Sequence, residues 1–320
     1  MTSTTDAMPQ SQPMSQADAT AAASSVRPFY WSVRRELWEN AAVWRGPLIA
    51  AAVMIFGMLV GAVSHPQVFV STGGADLQLR THNGMPLEPL FVRMLPYAIA
   101  TVGIMFTGGV IGMFYCLGAL NGERRDRSIL FWKSLPVSDL TTVLAKAVIP
   151  LVVLPVCVTI TIIVTHLIML ALHAAGLAAH GEDAGALLGQ LPLLKLWLVA
   201  TWGAVAYTLW WAPIWGWLLM VSAWAKRMPI LWAILPPFAV PIFERIAFNT
   251  SYSSKILSDR FGGASNVAFR VVHPHANAMI DLPNPDPIGF LTTPGLWIGL
   301  LIGAAFLAAA VWLRRRADPI

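Results

Sequence analysis

The sequence predicts an all-α membrane protein with six transmembrane helices, on two observations. First, the mean hydropathy over 320 residues is +0.64, and 57% of the residues are hydrophobic while only 12% are charged. A water-soluble domain of this length needs a larger polar shell than that composition supplies. Second, the apolar residues fall into six runs, most of them close to the roughly 20 residues that a helix needs to cross a bilayer. Little chain remains for a separate soluble domain.

The N-terminal region is predicted to contain a tail followed by a surface helix. Residues 1–26 are rich in Ser, Thr, Gln and Ala and lack the pattern of a secretory signal, so we expect a disordered tail. In the next segment, apolar residues recur every three or four positions: Tyr30, Val33, Leu37, Ala41 and Trp44. The other face carries Ser32, Arg35, Glu36, Glu39 and Asn40. This pattern is typical of an interfacial amphipathic helix, although an ordinary helix packed on protein also shows it.

The six apolar runs predict spans at about 47–63, 95–120, 147–173, 196–222, 229–248 and 295–313. The fifth contains Pro236, Pro237 and Pro241, which predict a broken helix. The tryptophans of span four are expected to face lipid and the membrane interface. Glycines at four-residue spacing allow helices to approach closely: Gly57 and Gly61, Gly108 and Gly112, and Gly295, Gly299 and Gly303.

The distribution of Lys and Arg predicts the orientation of the chain in the membrane. Basic residues precede span one, lie between spans two and three and between spans four and five, and end the chain at Arg314, Arg315 and Arg316. The connection at 174–194 has none. Because every second connection is basic, both termini and the tail are expected in the cytoplasm. The expected location is a bacterial inner (plasma) membrane, which the chain crosses six times.

The connection between spans two and three is rich in charged residues, unlike most of this apolar chain. From Glu123 to Lys146 it reads ERRDRSILFWKSLPVSDLTTVLAK. Phe131 and Trp132 lie in an apolar block directly after the charges, which favours a short helix against the membrane. Ser138 is placed to cap the helix of span three. Exposed aromatic and Arg residues often anchor protein interfaces, but a topology signal with an interfacial aromatic belt explains the pattern without a partner.

This stretch resembles the cytoplasmic loop of the permease subunits of type 2 (export-type) ABC transporters. In that family the loop is a coupling helix that fits a cleft in a separately encoded ATPase, and Lys146 matches the basic residue that opens the next span. The residues that the resemblance and the loop pattern assign to ATPase coupling are Glu123, Arg124, Arg125, Asp126, Arg127, Phe131, Trp132, Leu135, Pro136 and Ser138. Arg127 and Ser128 depart from the family pattern, in which many members have Gly-Thr.

The resemblance also implies an architecture and partners. It makes 27–320 an ABC exporter transmembrane domain, with a partly re-entrant external segment between spans five and six that begins at about 236–246. It implies two ATPase copies and a dimer of permeases, most simply a homodimer. The chain has no GxxxxGK[ST] phosphate loop. ATP and magnesium are therefore expected on the partner ATPase, no cofactor or metal on this chain, and no nucleic acid as a partner.

The expected function is export of an unidentified substrate, a lipid, peptide, drug-like amphiphile or glycan, without covalent chemistry on this chain. His166, Glu244 and Arg245 are candidates for a substrate path or gate, because polar groups in spans tend to face cavities. A hydrogen bond to a neighbouring helix explains His166 equally, and Glu244 and Arg245 can lie just outside the bilayer. Two other classes remain open: a membrane-anchored assembly or regulatory protein, and a lipid-modifying enzyme that uses His273, His275 or Glu244.

Overall fold

The computed structural model describes residues 28–64, 89–126, 137–181, 185, 189, 191–270 and 282–316. The predicted disordered tail lies outside these residues. The helices are α1 (Pro28–Glu39), α2 (Ala42–Ser64), α3 (Pro89–Ala119), α4 (Asn121–Arg125), α5 (Asp139–Val148), α6 (Leu154–Ala179), α7 (Leu193–Trp210), α8 (Ala212–Trp224), α9 (Pro229–Phe248), α10 (Tyr252–Gly262), α11 (Ala264–Ala268), α12 (Pro287–Thr292) and α13 (Pro294–Arg316). A π-helical turn, Ile149–Val153, joins α5 to α6. Two short strands, β1 (Phe269–Arg270) and β2 (Asn284–Pro285), pair antiparallel.

Six helices of the described chain are long and apolar enough to cross a membrane, which confirms the predicted number. They are α2, α3 with α4, α5 with α6, α7, α9 and α13. Five of the predicted spans fall inside these helices. The third is much longer than predicted, because one continuous helix runs from Asp139 to Ala179. The fold therefore agrees with the prediction of a multi-pass membrane protein.

The fourth span differs from the prediction, because the helix is interrupted at Trp211. Pro213 has no N–H to donate to the carbonyl four residues earlier. The Ile214 N–H bonds the Trp211 carbonyl at 2.8 Å instead of the Trp210 carbonyl. The predicted span at 196–222 is therefore two helices, α7 and α8, and the Trp210 carbonyl is left for another donor.

The fifth span is continuous, so the predicted break at its prolines is wrong. Pro237 removes the N–H that would bond the Ala233 carbonyl. The indole Nε1 of Trp217 on α8 donates to that carbonyl at 3.1 Å and replaces the lost bond. The helix continues to Phe248 and ends at Asn249, whose φ of 51° is left-handed. The chain therefore leaves this helix after residue 248 and not within 236–246. A re-entrant external segment between spans five and six stays a prediction.

The tryptophans of span four are also placed differently from the prediction. Trp210 and Trp215 are only 6% and 4% exposed and pack between helices, so the expectation that they face lipid is wrong for them. Trp224, at the end of α8, is 50% exposed. The side chains of Trp210 and Trp215 fill the space around the α7–α8 break.

Helix α8 packs directly on α13 through glycines. A Cβ added to Gly216 would lie 2.7 Å from the Gly303 carbonyl oxygen, and one added to Gly303 would lie 2.9 Å from the Ala212 oxygen. The close approach predicted for Gly303 is therefore confirmed. Gly57 has nothing within 4 Å of an added Cβ, so the same spacing on α2 serves no close contact with a described residue.

Between α9 and α13 the chain forms short elements held by two acidic residues. Glu244 bonds the start of α10, as described below. Asp286 precedes α12 and accepts from the Gly289 N–H at 3.0 Å and from Arg270 at 2.8 Å. The Gly289 amide and the Arg270 guanidinium hold the pKa of the Asp286 carboxyl below its usual range. These bonds tie β1 to the start of α12, which precedes the last span.

Candidate functional site

Charged side chains from four separate parts of the chain meet where α1, α4, α5 and α13 come together. We call this group the ion cluster: Arg35, Glu36, Glu123, Asp139, Lys146 and Arg314. Arg35 also pairs with Glu39, whose side chain is 52% exposed, at 3.2 Å. Four members of the ion cluster are buried, Glu36, Glu123, Lys146 and Arg314, and the formal charges of these two acids and two bases cancel. Buried charges are tolerated only when they are paired and hydrogen-bonded, as they are here.

Glu123 is the centre of the ion cluster. Its Oε1 lies 3.0 Å from the Lys146 ammonium and 3.2 Å from the Arg35 guanidinium. Its Oε2 accepts a hydrogen bond from Arg314 Nη1. Because charged donors on three elements hold both carboxylate oxygens, Glu123 cannot move without moving those elements or exchanging partners.

Lys146 links Glu123 to the N-terminal helix. Its Nζ donates to Glu36 Oε1 at 2.7 Å, and Glu36 Oε2 accepts from the Tyr115 hydroxyl at 2.9 Å. Glu36 is the only buried residue of α1. The expectation that Glu36 lies on a face turned away from the packing surface is therefore wrong, because its carboxylate is drawn to Lys146. The aromatic residues Tyr30 and Trp38 are exposed instead, at 55% and 71%.

The last span is joined to the start of the third span by Arg314. Its Nε donates to Asp139 Oδ1 at 3.0 Å, while its Nη1 reaches Glu123. Arg314 lies in the last turn of α13, where a cation is favourable at the negative end of the helix dipole. The residue that the sequence offered as an orientation signal thus has a structural contact as well.

The first residues of the predicted coupling loop divide into buried and exposed ones. Arg124 is buried, and its Nη1 donates to the Ala223 carbonyl at 2.8 Å near the end of α8. Arg125 and Asp126 have side chains that are 76% and 66% exposed and pair with each other at 3.4 Å. Ser138 accepts from the Thr141 N–H at 3.1 Å and caps α5, as predicted.

The remaining predicted coupling residues, Arg127, Phe131, Trp132, Leu135 and Pro136, lie outside the described residues. The structure therefore brings Glu123 and Lys146 together, anchors Arg124, and leaves Arg125 and Asp126 facing outward. Of the first four residues that the resemblance assigns to the coupling loop, Glu123 and Arg124 are therefore buried, and Arg125 and Asp126 are exposed.

His166 is fully buried and hydrogen-bonded to the two helices beside it. The indole Nε1 of Trp197 donates to its Nδ1 at 3.1 Å, so Nδ1 carries no proton. Its Nε2 therefore carries the proton and faces the Tyr97 carbonyl at 3.0 Å and the Thr101 hydroxyl at 3.2 Å. These bonds satisfy both ring nitrogens, as the alternative explanation expects. A role in a substrate path stays a prediction.

Glu244 joins the end of α9 to the start of α10. Its carboxylate accepts from the Thr250 hydroxyl at 2.6 Å and from the N–H groups of Tyr252 and Ser253, both at 2.7 Å. Two donors at the start of α10 that lack partners within the helix are thereby satisfied. The neighbouring Arg245 is exposed. This geometry gives Glu244 a structural task, while a gate role for either residue stays a prediction.

Replacing Glu244 with Ala is expected to speed amide hydrogen exchange at Tyr252 and Ser253, because their N–H groups lose their acceptor. Exchange measured by mass spectrometry on the purified protein would report this. Arg245→Ala is the matched control, since it alters the adjacent exposed residue and should leave the exchange of α10 unchanged. Equal exchange in Glu244→Ala and the unmodified protein would show that the turn holds without this carboxylate.

Two apolar cavities adjoin α8. One, of about 690 Å³, lies between α3, α8, α9, α10 and α13 and has Arg260 in its wall. The other, of about 390 Å³, lies between α3, α6, α7 and α8 and has Trp211 and Trp215 in its wall. His166, Glu244 and Arg245 line neither cavity. Both volumes are in the range of small-molecule sites.

We looked for a metal site among the residues that the structure describes. No three His, Cys, Asp or Glu side chains there are placed to hold a metal ion. The histidine pair considered for an enzyme, His273 and His275, lies outside the described residues.

Comparison with known proteins does not assign the chain to a family. No protein-family model matches it, and no curated protein and no solved structure matches it either. The fold defines its class as a helical multi-pass membrane protein. Any finer assignment depends on the coupling-loop resemblance together with the contacts of the ion cluster.

Sequence reasoning did not single out four members of the ion cluster as site residues: Arg35, Glu36, Asp139 and Arg314. Each of them lies near the predicted end of a span or in the amphipathic helix, where charged residues are common. The sequence feature that could have indicated the site is that these four residues are two acids and two bases, which can pair with each other. Balance alone does not say which charges meet, because the partners are up to 191 residues apart in sequence.

Proposed function

We propose that this chain is the membrane-spanning permease subunit of an ATP-driven exporter of the type 2 ABC class, in a bacterial inner membrane. The observation that carries the proposal is the position of Glu123. It is the first residue of the loop that resembles the family's coupling helix, and it is paired with residues of α1, α5 and α13. A force on the loop therefore reaches three elements at once.

The balanced charge of the buried members of the ion cluster suits a two-state coupling device. Two buried acids and two buried bases can exchange partners without leaving any buried charge unpaired, whereas a lone buried pair cannot. Movement of α4 by a bound ATPase would shift the Glu123 carboxylate between Lys146 and Arg314 and tilt the third and sixth spans as rigid bodies. Coupling further requires that the ATPase contact the loop differently in its two nucleotide states.

The two cavities supply room for a substrate within the helices. Their walls are apolar, and helix α9, which bounds the larger one, has a single buried residue, Ala233. A helix held by so few contacts can move with little loss of packing. Lipids, peptides, amphiphilic drugs and glycans carried on lipids all remain compatible with such walls. With two ATP sites at an ATPase dimer interface, the complete exporter would be a twofold assembly of two permeases and two ATPases.

The experiment reverses one exposed charge at the start of the loop. We expect Arg125→Glu to weaken association with the ATPase about tenfold, because charge reversal at a contact of opposite charge costs binding energy. Association is measured by co-purification and titration, and coupling by ATP hydrolysis in proteoliposomes. Arg227→Glu is the matched control, since Arg227 is exposed in another basic connection on the same predicted side of the membrane.

Three outcomes would contradict the proposal or change it. If Arg125→Glu kept full ATP hydrolysis and unchanged association with the ATPase, the proposed coupling role of the loop would be contradicted. If a cysteine introduced at position 125 reacted only with reagents added on the periplasmic side, the loop would face the periplasm. The assignment as an ABC permease would then be wrong. A cytosolic partner that binds at Arg125 but has no ATPase activity would favour an assembly or regulatory protein instead.

A further inference from the structure

The lining of the larger cavity is that of an acyl-chain site, because it is almost entirely apolar. Its wall on α3 is a stripe at helical spacing, Val110, Met113, Phe114 and Leu117. At 1.5 Å of rise per residue this stripe is about 10 Å long. The proline-containing part of α9 also lines the cavity, and Phe306 lines it from α13. A volume of about 690 Å³ bounded by such residues suits a hydrocarbon chain far better than a polar solute.

Arg260 is the charged residue in the wall of this cavity. Its Nη1 donates to the Trp210 carbonyl at 3.2 Å and its Nη2 to the Gly295 carbonyl at 2.5 Å. Its Cζ lies 4.6 Å from the centre of the Trp210 ring. The Trp210 carbonyl is the one left over by the break before Pro213. Arg260 is thus fixed in place, and all of these partners are neutral.

Arg260 differs in this respect from the buried cations of the ion cluster. Lys146 and Arg314 each meet two carboxylates, whereas Arg260 forms no ion pair with any described residue. Two carbonyl groups use two of the five N–H donors of a guanidinium. Arg260 is half-buried at the wall of an apolar cavity, where water stabilises a cation only in part. An anionic group from outside the described chain would compensate the remaining charge.

The position of Arg260 along the helices matches the headgroup of a lipid. The guanidinium lies beside Gly299, and the helix from Gly299 to Arg314 covers about 22 Å at 1.5 Å per residue. Since the hydrocarbon core is roughly 30 Å thick, Arg260 belongs to the half of the bilayer away from the ion cluster. From Arg260 the apolar cavity extends back toward the ion cluster as far as Leu117 and Phe306. A charged end near one surface and an apolar end toward the middle is the arrangement of a lipid in one leaflet.

We propose that this cavity binds a monoanionic phospholipid of the phosphatidylglycerol type, with its phosphate at Arg260 and one acyl chain along the α3 stripe. A guanidinium presents paired N–H donors that match phosphate oxygens. The net charge of the lipid neutralises the cation, which a zwitterionic lipid of the same chain length does not achieve. The site would exist whether or not the protein exports anything.

The test measures lipid binding by the purified full-length protein in neutral detergent. The probes are phosphatidylglycerol and phosphatidylcholine with the same fluorescently labelled acyl chains. We expect phosphatidylglycerol to bind about tenfold more tightly, and Arg260→Gln to abolish this preference. Arg245→Gln is the matched control, because Arg245 is exposed and does not line the cavity, and it should leave the preference unchanged.

A second variant covers the case in which Arg260→Gln fails to fold, since Arg260 also holds two backbone carbonyls. Met113→Trp fills the cavity without touching Arg260 and should weaken binding of both lipids at least about tenfold while folding is retained. Equal binding of the two lipids by the unmodified protein would overturn the proposal. So would a preference that survives in folded Arg260→Gln, or normal phosphatidylglycerol binding by Met113→Trp. None of these measurements involves the ATPase, so their failure would leave the exporter proposal to be judged by its own test.

Discussion

Replacing Lys146 with Met is expected to lower the free energy of unfolding by about 3–5 kcal/mol, the usual cost of removing one partner from a buried ion pair. Lys146 is 2% exposed, and its ammonium lies 2.7 Å from Glu36 and 3.0 Å from Glu123. Without it the buried members of the ion cluster carry one excess negative charge, and the Glu36 and Glu123 carboxylates lose their shared cation. Denaturation of the purified protein in detergent, by heat or by a denaturing surfactant, would measure the change.

The matched comparison for Lys146→Met is Arg125→Met, in which a cation of the same end of the protein is removed from an exposed position. Arg125 pairs only with exposed Asp126 among the described residues, so stability should stay within experimental error. Adding Glu36→Gln to Lys146→Met restores the neutral charge and should recover part of the loss, with a coupling energy of about 0.5–3 kcal/mol. Unchanged stability of Lys146→Met would mean that these three residues do not form a buried network.

Replacing Gly303 with Val is expected to destabilise the protein by about 3 kcal/mol or more, at the upper end of what an overpacked core costs. An added Cβ would lie 2.9 Å from the Ala212 oxygen and 3.0 Å from the Ala212 carbonyl carbon. These are backbone atoms, so the contact is relieved only by separating α8 from α13. That separation would also displace Arg314 from Glu123, since Arg314 lies in the last turn of α13. The measurement is the yield of monodisperse protein and its thermal midpoint.

Gly57→Val tests whether the contact or the spacing of the glycines matters. Gly57 belongs to the same four-residue pattern as Gly303, but nothing lies within 4 Å of an added Cβ there. We expect the Gly57 variant to fold and melt like the unmodified protein. Equal damage in both variants would indicate that α2 has a close partner at Gly57 that the described residues do not provide.

Local patterns were sufficient for the number of spans and for several of their ends. A run of about 20 apolar residues has to cross the bilayer as a helix, because backbone groups find no other partner in lipid. Ser138 was recognisable as a cap because a Ser before a helix satisfies an N–H close to it in sequence. These conclusions depend only on residues that are close together in sequence, so they can be drawn before the tertiary structure is known.

Local patterns failed where a distant group changed the outcome. The prolines of α9 predicted a break, but the Trp217 indole from another helix supplies the missing donor. Glu36 belonged by its position to an outer polar face, but Lys146 is buried opposite it and attracts it inward. The tryptophans of span four had the composition of a lipid-facing belt, but Trp210 and Trp215 fill the interior. In each case the decisive partner is far away in sequence.

The sequence by itself determined that this protein is helical and has six segments long and apolar enough to cross a membrane, because hydropathy and helical spacing act within a single segment. Only the tertiary structure decided that Glu36, Glu123, Lys146 and Arg314 meet as two acids and two bases. It also decided that Arg260 lies beside an apolar cavity without an ion pair to any described residue. The physical reason is that a charge in a low-dielectric interior is governed by the few atoms within about 4 Å. Which atoms those are depends on how the helices pack.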